Sequence, residues 1–393
     1  AAEGFRSAVY QTMILNLVHK GFVVLAFDPV GQGERKNYPD GCGGQNSCGP
    51  THEHSYPGFQ GFLLGGSPAR QFIWDGIRGI DYLLTRKEVD PTRIGVGGRS
   101  GGGTQSSYIA AFDERVFASA PEAYITSNHR LLSSVGPQDS EQIFFHGIAR
   151  GLDAADLLAV RAPKPSLIIA TTRDMFNITG TRETFRELQR TYESFGKATA
   201  IQMVEDDAPH ASTKRNRESM YAFFQEQLNL PGDSRDIEVE LFSEEELQVT
   251  PSGQVKTSFG GETLFSLNRT RAESLLERLE RQRENPTAHL PVAVLAARSL
   301  SGFRDPEMVE DAVFVGRYRR SGYFVEKYFL PGDGLDVVPF LLMVPEEKIK
   351  RPLVLYLHPR GKASEASRGG EIEQLVRAGY VVAAPDLLGI GET

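Results

Sequence analysis

The sequence predicts an α/β fold, in which helices cover both faces of a mostly parallel β-sheet. Short apolar runs that end in glycine or aspartate alternate along residues 11–230 with segments of helical period. This alternation is typical of parallel sheets, because parallel strands need a crossover helix between them. Strands are predicted at 93–98, 165–172 and 199–205, and FVVLAFD (22–28) is predicted as a further buried strand.

The composition excludes several classes of partner. Of the 393 residues, 40% are hydrophobic and 24% are charged, and the formal net charge is −8. Because no basic block or stripe occurs, we expect no nucleic-acid partner. No apolar run approaches the roughly 18–20 residues that span a bilayer, so we expect no membrane partner.

The character of the sequence changes near residue 231. Residues 232–312 combine short extended runs with a charged helix, predicted in RAESLLERLERQREN. Residues 313–393 begin with extended strands and then pass through a helix into a further strand. The sequence therefore predicts three regions, 1–231, 232–312 and 313–393.

The last nineteen residues repeat a stretch near the start. LVRAGYVVAAPDLLGIGET (375–393) and LVHKGFVVLAFDPVGQGER (17–35) are identical at ten positions without gaps, and Asp386 falls on Asp28. Either the chain is a piece of a longer tandem protein, or strands within 313–357 complete the first sheet, inside one molecule or between two. A half sheet leaves unpaired edges. We therefore expect a homo-oligomer or a further chain segment to complete it.

The sequence GRSGG (98–102) matches the pattern G-x-S-x-G. It follows the strand predicted at 93–98 and precedes a predicted helix, GTQSSYIAAF. This is the setting of a nucleophile elbow, in which a serine lies on a tight strand-to-helix turn and the flanking glycines avoid clashes. Ser100 is therefore the candidate nucleophile, and the backbone N–H of Gly101 is a candidate oxyanion donor.

Two later strands are each followed by a residue that suits a catalytic triad. Asp174 follows the strand at 165–172, and His210 follows the strand at 199–205. The chain order serine, acid, histidine is the one expected with this elbow. His210 would take the proton of Ser100 and pass it to the leaving alcohol, and Asp174 would fix the histidine tautomer.

Other residues compete for the two supporting roles. The alternatives for the base are His52, His54, His129 and His146, and those for the acid are Glu205, Asp206 and Asp207. The four histidines do not fit the triad order. The three acids lie in the loop of His210 itself, where solvation or substrate contact suits them better.

The second oxyanion donor is expected in the loop after an earlier strand. In the second copy of the repeat, this strand and loop are PLVLYLHPRG (352–361). The repeat places the first copy's equivalent of His358 immediately before Ala1, so only Ala1, Ala2 or Glu3 remain from its loop. Loss of one oxyanion donor costs on the order of 10²–10³ in rate.

Only the first copy has room for these active-site residues. Ser100 lies 72 residues after Asp28, whereas seven residues follow the matching Asp386. The sequence therefore predicts one catalytic site, in the first region.

Three longer stretches carry a family resemblance: EVDPTRIGVGGRSGGGTQSSYIAAFDERVFASAPEAYITS, GPQDSEQIFFHGIARGLDAADLLAVRAPKPSLIIATTRDMF and DAPHAS. Together they resemble bacterial α/β-hydrolases of the acetyl xylan esterase type, which are distantly related to prolyl-oligopeptidase-like hydrolases. The resemblance covers residues 1–228 and returns at about 313–393. It implies an α/β-hydrolase catalytic domain that lacks its first strands, then a mixed linker, then the N-terminal part of a second hydrolase unit.

The resemblance implies a serine esterase that removes acyl groups, acetyl above all, from plant-type polysaccharides such as xylan. It assigns the nucleophile to Ser100, the acid to Asp174 and the base to His210. It also implies a secreted or periplasmic bacterial enzyme without a cofactor. The alternatives are a prolyl-oligopeptidase-like peptidase and a catalytically weak carbohydrate-binding module.

Three residues are candidates for substrate contact. Arg99 stands where this group more often has asparagine, and its charge would suit an acidic substrate, with a structural salt bridge as the alternative. Trp74 and Tyr56 lie in an aromatic and polar stretch, where they could stack on a sugar ring. Trp74 sits in a predicted helix, so a core position is its alternative.

The two cysteines, Cys42 and Cys48, lie six residues apart in a glycine-rich loop. This spacing can close a small disulfide loop in an oxidising compartment, and two free thiols are the alternative. No metal site is expected, because the histidines and cysteines lack ligand spacing. The pair that comes nearest to the spacing of metal ligands is His52 and His54.

Overall fold

A computed structural model describes residues 3–41, 48–134, 139–305, 312–332, 336–347 and 349–393. The chain divides into two compact units, Ala1–Glu284 and Asn285–Thr393. The region bounds predicted from the sequence, at residues 231 and 312, stay predictions.

A parallel sheet forms the centre of the first unit. Its strands are β1 (Ile94–Arg99), β2 (Val116–Glu122), β3 (Ser166–Thr171) and β4 (Ile201–Asp206). They lie in the order β1-β2-β3-β4, and each pair is parallel. The register aligns their carboxyl ends, with Arg99 opposite Glu122 and Thr171 opposite Asp206. Binding sites of parallel sheets lie at this edge.

The helices of the first unit are α1 (Ala8–His19), α2 (Pro50–Leu63), α3 (Ala69–Leu83), α4 (Gly101–Phe112), α5 (Asn128–Leu132), α6 (Ala154–Ala159), α7 (Ile178–Ser194), α8 (Lys214–Gln227), α9 (Val255–Phe259) and α10 (Leu264–Arg283). Polar caps set several of their starts. Asn177 accepts the N–H groups of Thr179 and Gly180 at the start of α7, and Thr213 accepts that of Asn216 in α8. Such caps satisfy N–H groups that have no partner within the helix.

Apolar clusters cover both faces of this sheet. Strand β3 is buried along its whole length, as expected for a strand with helices on both sides. Ile168 points into a cluster with Tyr108 of α4 and Leu188 of α7, whereas its neighbour Ile169 points into a cluster with Phe224 of α8. This alternation confirms the predicted α/β architecture.

The second unit contains a mixed five-stranded sheet. Its helices are α11 (Pro286–Ser301) and α12 (Glu371–Arg377), and its strands are β5 (Val313–Arg320), β6 (Tyr323–Pro331), β7 (Val337–Pro345), β8 (Leu353–Leu355) and β9 (Val381–Pro385). The strand order is β5-β6-β7-β9-β8, and only the β8–β9 pair is parallel. Val325, Met343, Ile372 and Val382 form its buried core.

The prediction of a buried strand at 22–28 is wrong. In the described structure this segment is extended chain outside either sheet, and Val23 and Leu25 are exposed. Its repeat in the second unit is β9, which lies between β7 and β8. Residues 22–28 have at least the strand propensity of their repeat, since Leu25 and Phe27 stand where β9 has Ala383 and Pro385, so in the described structure the difference comes from the strands that flank β9.

The segment after α8 also differs from expectation. IEVELFSEEELQVTPSGQV (237–255) is predicted to form short strands and turns; the turns are present, but the extended residues form no strand, and Val255 begins α9. The buried amide of Asn16 donates to the carbonyl of Ile237 and accepts its N–H, and Gln11 binds Phe242 in the same way. Side chains of α1 thus satisfy backbone groups that a strand would otherwise pair.

Two further observations bear on the sequence predictions. None of the helices in the described part of the chain has the length and apolar character that a bilayer crossing requires. Cys48 is buried and disulfide-bonded, and Cys42 lies outside the described residues.

Candidate active site

Ser100 lies between the end of β1 and the start of α4, in a conformation that side chains rarely adopt. Its φ is 59° and its ψ is −119°. A Cβ atom at Gly98 would lie 2.9 Å from the backbone of Gly102, and one at Gly103 would lie 2.3 Å from the carbonyl oxygen of Glu122. Close backbone approach therefore requires glycine at Gly98, as the motif predicts, and at Gly103, whereas a Cβ atom at the second motif glycine, Gly102, would meet no atom within 4 Å.

His210 and Asp174 lie in hydrogen-bond contact. His210 follows β4 and Asp174 follows β3, and His210 Nδ1 is 2.9 Å from both carboxylate oxygens of Asp174. The Asp174 side chain is 1% exposed, whereas that of His210 is 23% exposed. This contact occupies Nδ1, so Nε2 is the ring nitrogen left for a reacting group.

Asp174 is held in its ionised form. Burial by itself would raise its pKa, but hydrogen bonds from His210, the Phe176 N–H and the Thr171 hydroxyl lower the pKa below its ordinary value. A carboxylate in this state fixes the orientation of the imidazole and stabilises its protonated form.

Ser100, Gly101 and His210 line one cavity of about 840 Å³. As the first residue of α4, Gly101 has an N–H without an acceptor inside the helix. The cavity thus brings together a serine, a histidine oriented by a buried carboxylate, and a backbone donor. This set of groups can perform acyl transfer.

The alternative acids are occupied elsewhere. Glu205 forms a two-pronged ion pair with Arg182, at 2.6 and 2.9 Å. Asp207 accepts the Thr172 hydroxyl at 2.5 Å and pairs with Arg173. The acid in contact with the ring of His210 is instead Asp174.

Arg99 lines the same cavity but is engaged by the protein. Its guanidinium donates to the carbonyl of His210 at 3.3 Å and lies near the buried carboxyl group of Glu122. Burial raises the pKa of Glu122 to about 7, although the Ser212 hydroxyl, which donates to it at 2.9 Å, and the charge of Arg99 partly offset this.

The raised pKa of Glu122 predicts a pH-dependent contribution to stability. The group favours the folded state below its ordinary pKa of 4.5, and this contribution is lost as the pH rises through about 7. We therefore expect Glu122→Gln to gain stability over the wild type as the pH rises from 5 to 8. The gain is at most on the order of 3 kcal/mol, by the conversion of pKa shift to free energy.

Urea unfolding at pH 5 and pH 8 measures this difference. Glu193→Gln, at an exposed position of α7, is the matched control and should show the same offset from the wild type at both pH values. A constant offset for Glu122→Gln between the two pH values would contradict the prediction.

A second buried cluster lies beside Gly101, and the sequence analysis missed it. His54 Nδ1 is 2.7 Å from Asp139 Oδ2 and 3.6 Å from Glu141 Oε2. A Cβ atom at Gly101 would lie 2.7 Å from the Glu141 carboxylate. Burial alone would lower the pKa of His54, but the negative charges of Asp139 and Glu141 raise this pKa above its ordinary value. The pKa of Glu141 is also raised, because its carboxyl group is buried. The cluster packs against the proposed oxyanion donor.

Among the described residues, this cluster is also the candidate site for a cation. The ligand atoms of His54, Asp139 and Glu141 lie within 4.8 Å of one another. However, the 2.7 Å contact between His54 and Asp139 has the length of a direct hydrogen bond, so these two groups satisfy each other. His52 does not join them, because its ring stacks on Tyr56. We assign no metal here.

The two aromatic candidates lie away from the cavity of Ser100. Trp74 is 61% exposed and lines a separate cavity of about 500 Å³ with Arg70 and Leu267. Tyr56 is exposed, and its ring contacts those of His52 and Tyr38. Their roles in sugar stacking stay predictions.

Comparison with known proteins gives one sequence relative and several partial structural matches. No protein-family model matches the chain. The curated relative is named "Putative hydrolase YtaP", from Bacillus subtilis (strain 168). It is 26% identical over 216 residues, which are 54% of this chain and 67% of that protein.

The similar solved structures include three esterases. Methylesterase BT1017 is 23% identical with a TM-score of 0.47, covering 62% of this chain and 50% of that chain. A glucuronoyl esterase from Caldicellulosiruptor kristjansonii is 22% identical with a TM-score of 0.37, covering 48% and 56%. A putative acetyl xylan esterase from Bacteroides fragilis is 16% identical with a TM-score of 0.41, covering 49% of each chain.

The chain therefore spans about half the length of these solved structures. The curated relative, the parallel sheet and the serine elbow together confirm the predicted likeness to α/β-hydrolases. The acyl group, the sugar and the roles of the three triad residues stay predictions.

Proposed function

We propose that this chain is a serine carboxylic-ester hydrolase whose active site lies in the first unit. Ser100 is the nucleophile, His210 is the general base and acid, and Asp174 orients His210. The backbone N–H of Gly101 stabilises the oxyanion. The substrate class is acylated polysaccharide of plant type, with acetyl groups as in acetylated xylan.

One observation carries the proposal. The strained turn at Ser100 and the His210–Asp174 hydrogen bond lie at the same, carboxyl-end edge of the parallel sheet, and Ser100 and His210 line the same cavity. A structural serine needs neither the strained turn nor a histidine with an ionised acid behind it. Strain of this kind is concentrated at functional sites.

The residues support a two-step reaction. His210 Nε2 takes the proton of Ser100 Oγ as this oxygen attacks the ester carbonyl carbon, and the Gly101 N–H donates to the developing oxyanion. The tetrahedral intermediate collapses, and the imidazolium gives its proton to the oxygen of the leaving sugar alcohol. A water molecule, deprotonated by His210, then attacks the acyl-enzyme and releases the carboxylic acid and free Ser100.

Ester specificity can be tested directly. We expect this chain to release acetate from acetylated xylan faster than it releases methanol or alcohol from uronate esters, because the proposed substrate is a neutral acyl sugar. Acetate release, compared with methyl ester cleavage of pectin and of glucuronate, measures the preference, with Ser100→Ala as the blank. Faster cleavage of a uronate ester would overturn the acetyl assignment and would favour a substrate contact for Arg99.

The compartment forms part of the proposal. The disulfide-bonded state of Cys48 suits an oxidising compartment, such as the bacterial periplasm or the outside of the cell. Polysaccharide substrates occur in the same places.

A further inference from the structure

We propose that the cavity beside Trp74 is a second binding site, separate from the cavity of Ser100, and that it takes an acidic sugar, such as a uronate unit of an oligosaccharide. The ring of Trp74 would stack on the sugar, and the basic side chains around it would bind the carboxylate. This inference goes beyond the proposed function, because binding at this cavity requires no reaction at Ser100.

The cavity lies within the first unit and has the size of a ligand site. Its volume is about 500 Å³, within the range of roughly 300–1,000 Å³ that ligand pockets occupy. Arg70 and Trp74 of α3 line it at a spacing of four residues, and Leu264, Leu267 and Arg271 of α10 line it at spacings of three and four. Residues at these spacings share one face of a helix. Each helix therefore presents one continuous face to the cavity.

Helix α3 separates this cavity from that of Ser100. Gly76, Ile80 and Leu83 line the cavity of Ser100, whereas Arg70 and Trp74 line this one. At 3.6 residues per turn, the two sets lie on opposite faces of the helix. A ligand beside Trp74 would therefore leave the catalytic cavity open.

The cavity is basic, although the chain as a whole has a formal net charge of −8. Of the described residues that line it, five are cationic and two are acidic. One cation, Arg35, is paired with Asp75 at 2.6 Å. The other four form no ion pair within the described part of the chain: Lys36, Arg70, Lys256 and Arg271. Like charges around one cavity repel one another, so a bound anion would be attracted by all of them.

The exposed ring of Trp74 indicates what carries the anion. Trp74 is the single tryptophan of the chain and is 61% exposed, and Leu267, which lines the same cavity, is 46% exposed. A pyranose ring has a face of C–H groups that can cover such an apolar surface. Gln71 lines the cavity as well, and its side-chain amide, which has no hydrogen-bond partner among the described residues, can bind sugar hydroxyl groups.

A carboxylate suits the cavity better than a phosphate does. Asp75 and Glu262 would repel a doubly charged phosphate, whereas their remaining lone pairs can accept the hydroxyl groups of a sugar. The guanidinium groups of Arg70 and Arg271 can bind a carboxylate through two parallel hydrogen bonds. A sugar with one carboxylate thus satisfies the aromatic, basic and acidic parts of the lining together.

Fluorescence of the single tryptophan tests the proposal. Titration of the wild-type chain with a xylotriose that carries one glucuronate group should give a saturable change in the emission of Trp74. Neutral xylotetraose should bind at least about tenfold more weakly, because it lacks the charge-assisted hydrogen bonds. The same two titrations by calorimetry measure the affinity independently of the emission.

Two variants locate the binding. Arg70→Gln and Trp74→Ala should each lower the affinity for the glucuronate probe about tenfold, as measured by calorimetry, because one removes a charged contact and the other removes the stacking surface. Both side chains are exposed, so the thermal midpoints should change little. Arg190→Gln is the matched control: Arg190 is an exposed arginine of α7 that does not line the cavity, and its variant should bind as the wild type does.

Three results would overturn the proposal. Equal affinity for the glucuronate probe and for xylotetraose would reject an acidic ligand. Tighter binding of inorganic phosphate than of the glucuronate probe, with the same change in emission, would mean that the cavity is a phosphate site. No binding in calorimetry, or binding that Arg70→Gln and Trp74→Ala leave unchanged, would mean that the cavity does not bind this sugar.

This site and the esterase fail separately. The glucuronate probe is a free acid without an ester group, so Ser100→Ala should bind it as the wild type does. Binding of the probe by a wild-type chain that cleaves no ester would keep this site and reject the esterase. An active esterase that does not bind the probe would do the reverse.

Discussion

Replacement of Ser100 with alanine is expected to lower kcat for p-nitrophenyl acetate by at least about 10⁴-fold. The reason is that the acyl-enzyme forms on this oxygen and no other group can replace it. Alanine removes only the hydroxyl group, so the thermal midpoint should change little. Initial rates, measured on wild type and variant at equal protein concentration, give the ratio.

Ser107→Ala is the control for this experiment. Ser107 lies on the same helix α4, where its hydroxyl donates to the carbonyl of Gly103 at 2.9 Å, and it is fully buried. We expect its kcat to stay within a few-fold of the wild type. Full turnover in Ser100→Ala would reject the nucleophile and with it the proposed mechanism.

Replacement of Asp174 with asparagine is expected to lower kcat about 10⁴-fold at neutral pH. An amide in this position can donate to Nδ1 of His210, and the proton then lies on Nε2. In that tautomer the histidine cannot accept the proton of Ser100. The size of asparagine matches that of aspartate, so the variant should fold and bind substrate as the wild type does.

Asp207→Asn gives the matched comparison, because Asp207 is an exposed acid in the loop of His210 that binds Thr172 and Arg173 instead. Its kcat should stay within about twofold of the wild type, since an exposed ion pair contributes little. If Asp207→Asn lowered kcat more than Asp174→Asn does, the acid of the triad would be an acid in the loop of His210 and not Asp174.

The parts of the fold that were predicted correctly are the parts whose signal is local. Strands β1, β3 and β4 are apolar runs with clear ends, and α4 follows a glycine-rich turn. Strand β2, with the sequence VFASAPE, was not predicted, because its small residues and proline have little strand propensity. It forms because β1 and β3 pair with it on both sides.

Residues 22–28 show the opposite case. Their sequence predicts a strand, and β9, which the repeat matches to them, is one. Strand formation depends on partners as well as propensity, and the described residues offer this segment none. A sequence pattern cannot report the absence of a neighbour, so the error could not be avoided from residues 22–28 alone.

The same distinction holds at the active site. Ser100, Asp174 and His210 each follow a predictable strand, so chain order was enough to select them as candidates, and their roles stay a proposal. The contact of His54 with Asp139 joins residues 85 positions apart, between a helix and a loop that carry no motif. Trp74 and Tyr56 were chosen for residue type alone, and the structure places both outside the cavity of Ser100.

Labelling with a fluorophosphonate probe tests the central claim most directly, because the reagent reacts only with a serine whose proton is accepted by a base. We predict one probe per chain on the peptide that contains Ser100, and loss of the label in His210→Ala. Wild-type protein that stays unlabelled, or a label on a different serine, would contradict the assignment of Ser100, His210 and Asp174 as a hydrolase triad.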